Sequence, residues 1–237
     1  FIPDYASGGI SYTVRFAPFE VAGPVSMTLF SSPESHLASM TGIVGLLNRA
    51  GARDEVLIEQ LNEPHYWGVT SSTPDNDPNP RLLAALNAAA RGATVRILLD
   101  SYYDDPSQAR SNFATVQYVL AMARTHGWDV QAATGNPAGL GVHNKLIMLR
   151  LGERHFAQIG SWNGTEVSAK RNREMSVLIE SSEAYAYLRE VFMRDFQLAR
   201  PIYLPMVAKD HRPANYLLIS EVLVNPSGGS EAGREWI

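Results

Sequence analysis

This sequence predicts an α/β fold, with helices on both faces of a mixed, largely parallel central sheet. Three observations carry that expectation. Strand-length apolar runs alternate with amphipathic helical stretches through most of the chain, as they do when helices cover a sheet. One run, Ala93 to Leu99 ending at Asp100, is mostly apolar, interrupted only by Thr94 and Arg96, as a buried parallel strand should be. The 237 residues are 45% hydrophobic and 19% charged, enough for a real core and too apolar for disorder.

The opening is punctuated by Gly8-Gly9, Pro18 and Gly23-Pro24, with short strand-like pieces at Ser11 to Phe16 and Val25 to Phe30. Ser32-Pro33-Glu34 reads as a helix start, with Ser32 as cap. Leu37, Met40, Ile43, Val44 and Leu47 form its apolar face, and Gly51 ends it. Glu55 to Leu61 reads as a strand, followed by a proline-rich loop from Thr70 to Pro80. A helix then spans about Arg81 to Arg91, stopped by Gly92. After the strand at Ala93, residues Phe113, Val116, Val119, Leu120 and Ala123 mark a helix closed by Gly127. Further strands are expected at Asp129 to Ala133, Lys145 to Leu151, Phe156 to Ile159 and Met175 to Glu180. A last helix covers Glu183 to Ala199, with Leu188, Val191, Phe192 and Phe196 inward.

Cysteine is absent, which excludes disulfides, thiolate zinc sites and a thiol nucleophile. The formal charge of −4 argues against a non-specific DNA binder, although Lys145 to Arg173 is locally basic. No apolar run approaches the roughly 20 residues needed to cross a bilayer. The chain opens at Phe1 without an initiator Met and closes on Glu235-Trp236-Ile237 in a strand-like run, so it is expected to be a piece of a longer protein.

Chemistry concentrates in Gly141-Val142-His143-Asn144-Lys145, Gly160-Ser161-Trp162-Asn163-Gly164-Thr165 and Asn172-Arg173-Glu174. His143 and Lys145 are two apart at a strand start, so their side chains share a face. Ser161 and Asn163 repeat that spacing at a strand end, and Asn172 and Glu174 at another strand start. Three strand ends thus offer an imidazole, an ammonium, a hydroxyl, amides and a carboxylate to one volume. That set suits a phosphate. Lys145 supplies charge, while Ser161 and Asn163 donate to non-bridging oxygens. His143 can attack phosphorus or protonate the leaving oxygen. Glu174 can accept a proton from the far ring nitrogen. The chemistry needs no metal and no cofactor.

The same residues resemble the motif of the phospholipase D superfamily, His-x-Lys followed by Asp, with a downstream Gly-Ser-x-Asn and Asn-x-Glu. Leu82 to Asp100 also looks like the family's helix–strand step, and the likeness covers about Ser31 to Arg200. It implies a phospholipase D-like α-β-α sandwich, with His143 as nucleophile or general acid. Lys145 and Asn163 become phosphate ligands and Glu174 the partner of His143. The motif's Asp falls at position 150, where this chain has Arg150. The family regards that Asp as more structural than chemical.

Other residues have plainer readings beside functional ones. Asn163-Gly164-Thr165 is a formal glycosylation sequon, discounted because Asn163 is the expected phosphate ligand. Arg150 reads as a solvated strand residue. His36, His126, His155 and His211 read as structural or surface residues. Glu59, Gln60, Asn62, His65 and Trp67 follow a strand end, as do Tyr102 and Tyr103. Ligands bind beyond such ends in open α/β sheets, so Glu59 is a substrate-binding candidate with Ser161 and Asn172, although loop exposure explains the group equally well.

An in-line displacement needs one histidine to attack and another to protonate the leaving group. The sequence has one motif, so the resemblance implies a second lobe, in the same full-length chain or in a homodimer. Residues 1–30 read as the tail of a preceding lobe and 31–205 as the lobe itself. In that second-lobe placement His143 is expected to be the general acid. Residues 206–237 read as a linker and the truncated start of a lamin-tail domain, because Leu217 to Pro226, Gly228-Gly229 and Glu235-Trp236-Ile237 resemble its opening. That likeness suggests a secreted or cell-surface protein. The expected activity is a metal-independent phosphodiesterase or phosphatidyl transferase acting through phosphohistidine, on phospholipid in preference to nucleic acid. A nuclease and a non-catalytic binding or scaffolding lobe are the alternatives.

Overall fold

The computed structural model describes residues 16–199 except 39 and 140. In chain order the elements are β1 (Ser26–Ser32), α1 (Ile43–Arg49), β2 (Glu55–Gln60), α2 (Pro80–Ala90), β3 (Thr94–Asp100), α3 (Asn112–His126), β4 (Val130–Gly135), β5 (Lys145–Leu151), β6 (Arg154–Gly160), α4 (Glu166–Lys170), β7 (Glu174–Glu180) and α5 (Ser182–Ala199). Seven strands form one sheet in the order β1-β7-β6-β5-β2-β3-β4.

The α/β sandwich is as expected, but the sheet is not largely parallel. Only β2-β3 and β3-β4 run parallel; β1-β7, β7-β6, β6-β5 and β5-β2 are antiparallel. Connection length explains the difference. Parallel neighbours need a crossover of a dozen residues or more, which α2 and α3 provide. β5 turns into β6 at Gly152, whose positive φ of 57° suits a tight reversal. α4, five residues long, spans no sheet face.

Alternation along the central strands makes two cores. Ile58, Ile97 and Ile147 face α1, α2 and α3, joining Leu47, Leu82, Ala85, Val116 and Val119. Their neighbours Leu57, Leu98 and Met148 face the other way, against Tyr185, Phe192 and Phe196 of α5. Residues adjacent in sequence therefore support opposite layers.

Helix ends follow local chemistry. The Asn79 side chain caps α2 by accepting from the Arg81 and Leu82 backbone N–H groups, with Pro80 in the first turn. Ser111 caps α3, and Gly127 closes it in the left-handed region.

The helix expected from Ser32 forms only from Ile43. Ser32 is the last residue of β1, paired with Glu174, and its buried hydroxyl donates to the carbonyls of Ser168 and Ala169. A side chain committed to the sheet cannot cap a helix. β1 also brings residues 26–30 into the lobe's sheet, past the expected boundary at 31. α4 had no expectation from the sequence. The piece at Ser11 to Phe16 and the lamin-tail-like segment fall outside the described residues, save Phe16.

Phe192 is fully buried and stacks on Phe196 at 5.6 Å between ring centres. Phe192→Ala is expected to cost about 3–5 kcal/mol. Leu198→Ala, at a side chain 50% exposed on the same helix, should stay within about 0.5 kcal/mol. Urea unfolding of the two variants measures both.

Candidate active site

The start of β5, the end of β6 and the start of β7 lie at one edge of the sheet, because these three strands are antiparallel neighbours. His143 and Lys145 meet there. The Lys145 Nζ stands 2.8 Å from His143 Nδ1, 3.4 Å from Nε2 and 2.8 Å from the His143 carbonyl. Lys145 is 9% exposed, whereas His143 is exposed. Burial holds the Lys145 ammonium below the ordinary lysine range, and the Glu174 carboxylate opposes that shift.

Glu174 belongs to the cluster but not as the resemblance implies. No hydrogen bond joins it to His143. Its Oε1 accepts from Ser168 Oγ at 2.5 Å and Asn172 Nδ2 at 3.0 Å, and its Oε2 is buried without a donor. Asn163 is half-buried; its backbone N–H donates to Ser168 Oγ and its Oδ1 is buried with no partner. Ser168 thus ties the Asn163 loop to Glu174. Gln60, which pairs with Lys145 across β2-β5, and Gln158, on the same sheet face, each also keep a buried oxygen without a donor. Unpaired buried polar atoms are rare in folded proteins and gather at functional sites.

Of the three substrate-binding candidates, Asn172 is exposed and bound to Glu174, while the Ser161 hydroxyl bridges the Met175 backbone, 3.3 Å from its N–H and 3.4 Å from its carbonyl. Glu59 is misplaced by the sequence reading. It sits inside β2, one residue before Gln60, so its side chain lies on the α5 face, opposite Lys145, and is 1% exposed. Only strand register shows which face it takes.

The family described as "Cardiolipin synthase, PLD-like domain" matches residues 57–196, a stretch holding every site residue above. The chain belongs to the phospholipase D-like family. Two structures resemble it in fold: NucT from Helicobacter pylori (14% identity, TM-score 0.55, covering 74% of this chain and 98% of that one) and the phospholipase D family member Nuc from Salmonella typhimurium (17%, 0.54, 75% and 97%). Phosphatidylserine synthase from Haemophilus influenzae is also similar (10%, 0.52, 77% and 41%). No curated protein sequence matches the chain significantly.

Within this phospholipase D-like lobe, Arg150 lies five residues along β5 from Lys145, about 17 Å away and on the other face. It is half-buried and lines up across β2 with Glu55. Glu55 accepts from Tyr185 Oη at 2.5 Å and from Arg189 at 2.7 and 2.9 Å. Arg150 therefore belongs to a charge network fastening α5 to the sheet, not to the chemistry.

The sequence reading missed what holds the loops. Asp100, fully buried at the end of β3, accepts from the backbone N–H of Tyr103 and of Val142, each at 2.6 Å, and so fixes the approach to His143. A Cβ on Gly141 (φ +91°) would come within 2.8 Å of Asp100 and 2.9 Å of the Tyr103 ring. The Asn163 loop is gripped by the β2-α2 connection. Asn79 Nδ2 donates to Glu63, Pro64 and Gly164, Trp67 Nε1 donates to the Gly164 carbonyl at 2.8 Å, and Arg81 forms a buried ion pair with Glu63. A Cβ on Gly164 would lie 2.3 Å from the Glu63 carboxyl, so that position excludes any side chain. His36 packs against Trp162, ring centres 4.0 Å apart, and burial beside the charge of Arg81 pushes it down to about 3, so the ring is neutral. The cap at Asn79-Pro80 was a visible signal; the long-range partners were not.

Asp100→Ala should cost about 1–3 kcal/mol by orphaning the buried Val142 N–H, with a drop in kcat as the His143 approach loosens. Arg81→Met should cost about 3–5 kcal/mol by leaving Glu63 charged and under-compensated. Chemical denaturation beside activity tests both.

Proposed function

We propose that the lobe cleaves or transfers phosphodiesters through His143, with phospholipid as the substrate class. The observation that carries this reading is the 2.8 Å contact between Lys145 Nζ and His143 Nδ1, beside the buried, unpaired Asn163 Oδ1 and Glu174 Oε2. An ammonium can only donate, so the ring nitrogen accepts. Phosphate oxygens are better acceptors, and a bound phosphate draws Lys145 off the ring. With its lone pair freed, Nδ1 takes up a proton from solvent and donates it in a hydrogen bond to Glu174 Oε2, as the family resemblance implies, and Nε2 faces the phosphorus.

The reaction takes two histidines. One nitrogen forms the P–N bond as the P–O bond to the leaving group breaks, and the other imidazolium gives that oxygen its proton. Water or an alcohol then displaces the first nitrogen. The second histidine comes from another lobe, in a longer chain or a second copy, with His143 as the general acid in the two-lobe arrangement. A surface supports this. Met27, Leu29 and Met175 are 65%, 72% and 61% exposed on the α5-side face of β1 and β7, next to half-buried Val177 and Ile179. A contiguous apolar face of this kind suits a protein partner.

The family description naming a cardiolipin synthase, the net charge of −4 and exposed Tyr102 and Tyr103 beyond β3 favour lipid over nucleic acid. His143→Asn is expected to lower phosphodiesterase activity on phosphatidylcholine vesicles by at least about 100-fold, with little dependence of the wild-type rate on salt. Equal activity of the variant would remove His143 from the mechanism. Cleavage of DNA falling steeply with salt would assign a nuclease instead.

A further inference from the structure

Beneath the His143 strand lies a pair of acids in a place where acids are costly. Glu59 is 1% exposed and is flanked in register by Leu98 of β3 and Leu146 of β5. Its Oε1 accepts from Asn144 Nδ2 at 3.0 Å, and its Oε2 is buried with no donor. Asp195 of α5 brings a second carboxyl within hydrogen-bonding reach. From the elements around the pair, β3 and β5 flank Glu59 with these leucines and carry Arg96, Asp100 and Arg150 further along the same face, the β5 approach presents neutral Asn144, and α5 presents Arg194, whose charge acts on Asp195. Two carboxylates cannot both stay ionised in such contact, so one proton is held between them.

Asn144 stands between His143 and Lys145. Its side chain is held on the α5 face by Glu59, while Lys145 lies on the other face. Two successive peptide planes make this a stiff connection, and a shift of about 1 Å in a reacting group can cost roughly 100-fold in rate. We propose that Glu59 and Asp195 share one proton and act through Asn144 as positioning residues for His143, so that loss of this proton limits the site on the alkaline side. The proposal rests on the reading of His143 as a reacting residue.

Burial and the neighbouring Asp195 push Glu59 up to about 8, and burial raises Asp195 as well. The sign follows. The unfolded chain releases the Glu59 proton near the ordinary carboxyl value, whereas the folded chain keeps it to about 8. Stability from this group is thus complete at acid pH and is lost as pH rises through that window. Above it, two buried negative charges repel, so Glu59 and the end of α5 move apart, and Asn144, which donates to Glu59, moves with it.

The test compares the full chain with Glu59→Gln and Glu59→Ala. Glutamine keeps an acceptor for Asn144, gains a donor for Asp195 and cannot titrate. In the wild type, the NMR signal of the Asn144 side-chain amide should move with a midpoint near pH 8, together with the His143 ring signals; in Glu59→Gln neither should move there. Glu59→Ala should lower kcat by about 10–100-fold with KM little changed, and Glu59→Gln should recover most of the loss and carry activity to higher pH. An unchanged amide titration or an unchanged alkaline limb in Glu59→Gln would overturn the proposal. The amide titration needs no turnover, so an inactive wild type would sink the assigned reaction while this measurement still decides the acid pair.

Discussion

The site depends on one constraint, the antiparallel register of β5, β6 and β7. Because these strands reverse direction in turn, the start of the first, the end of the second and the start of the third share an edge. Register also sets the face. A slip of one residue would turn Lys145 towards α5 and Glu59 towards the site, since side chains alternate with a period of two. The pairing of Gln60 with Lys145 excludes that slip, because the apolar residues behind it, Val56, Ile58, Ile147 and Leu149, would all change cores together.

Around that edge the lobe spends buried polar groups on loops, not strands. Asp100 takes two backbone N–H groups from two different loops, and the Glu63–Arg81–Asn79 cluster reaches across to Gly164. A buried ion pair is weak evidence for net stability, since desolvation offsets most of the Coulomb attraction. Its value here is geometric. It places the Asn163 loop against the β2-α2 connection at a separation that only glycine at 164 permits.

The two faces of the sheet divide the work. The α1-α2-α3 side carries Lys145, Gln60, Gln158 and Glu174 at its upper edge, above an apolar floor. The α5 side carries acids and arginines: Glu55 with Tyr185, Arg189 and Arg150 at one end of the strands, Glu59 with Asp195 at the other. The Glu55 contacts bind α5 to β2, so one helix is coupled to the strand beside the His143 segment. The departure at Arg150 is accommodated on this face, where its charge meets Glu55.

The sequence by itself determined the α/β class, nearly all the helices and strands, and the pairing of His143 with Lys145. Those features are written in local periodicity and in pairs of residues two apart, and a strand converts such spacing directly into a shared face. It did not reveal that most strand pairs are antiparallel, that Ser32 ends a strand instead of starting a helix, or that Glu59 faces away from Lys145. Nor did it link Glu63 to Gly164, or Glu59 to Asp195. Each of these depends on which distant segment lies alongside, and pairing between residues a hundred positions apart leaves no trace in the local pattern of either one. Only the folded sheet, by fixing register and face at once, decides them.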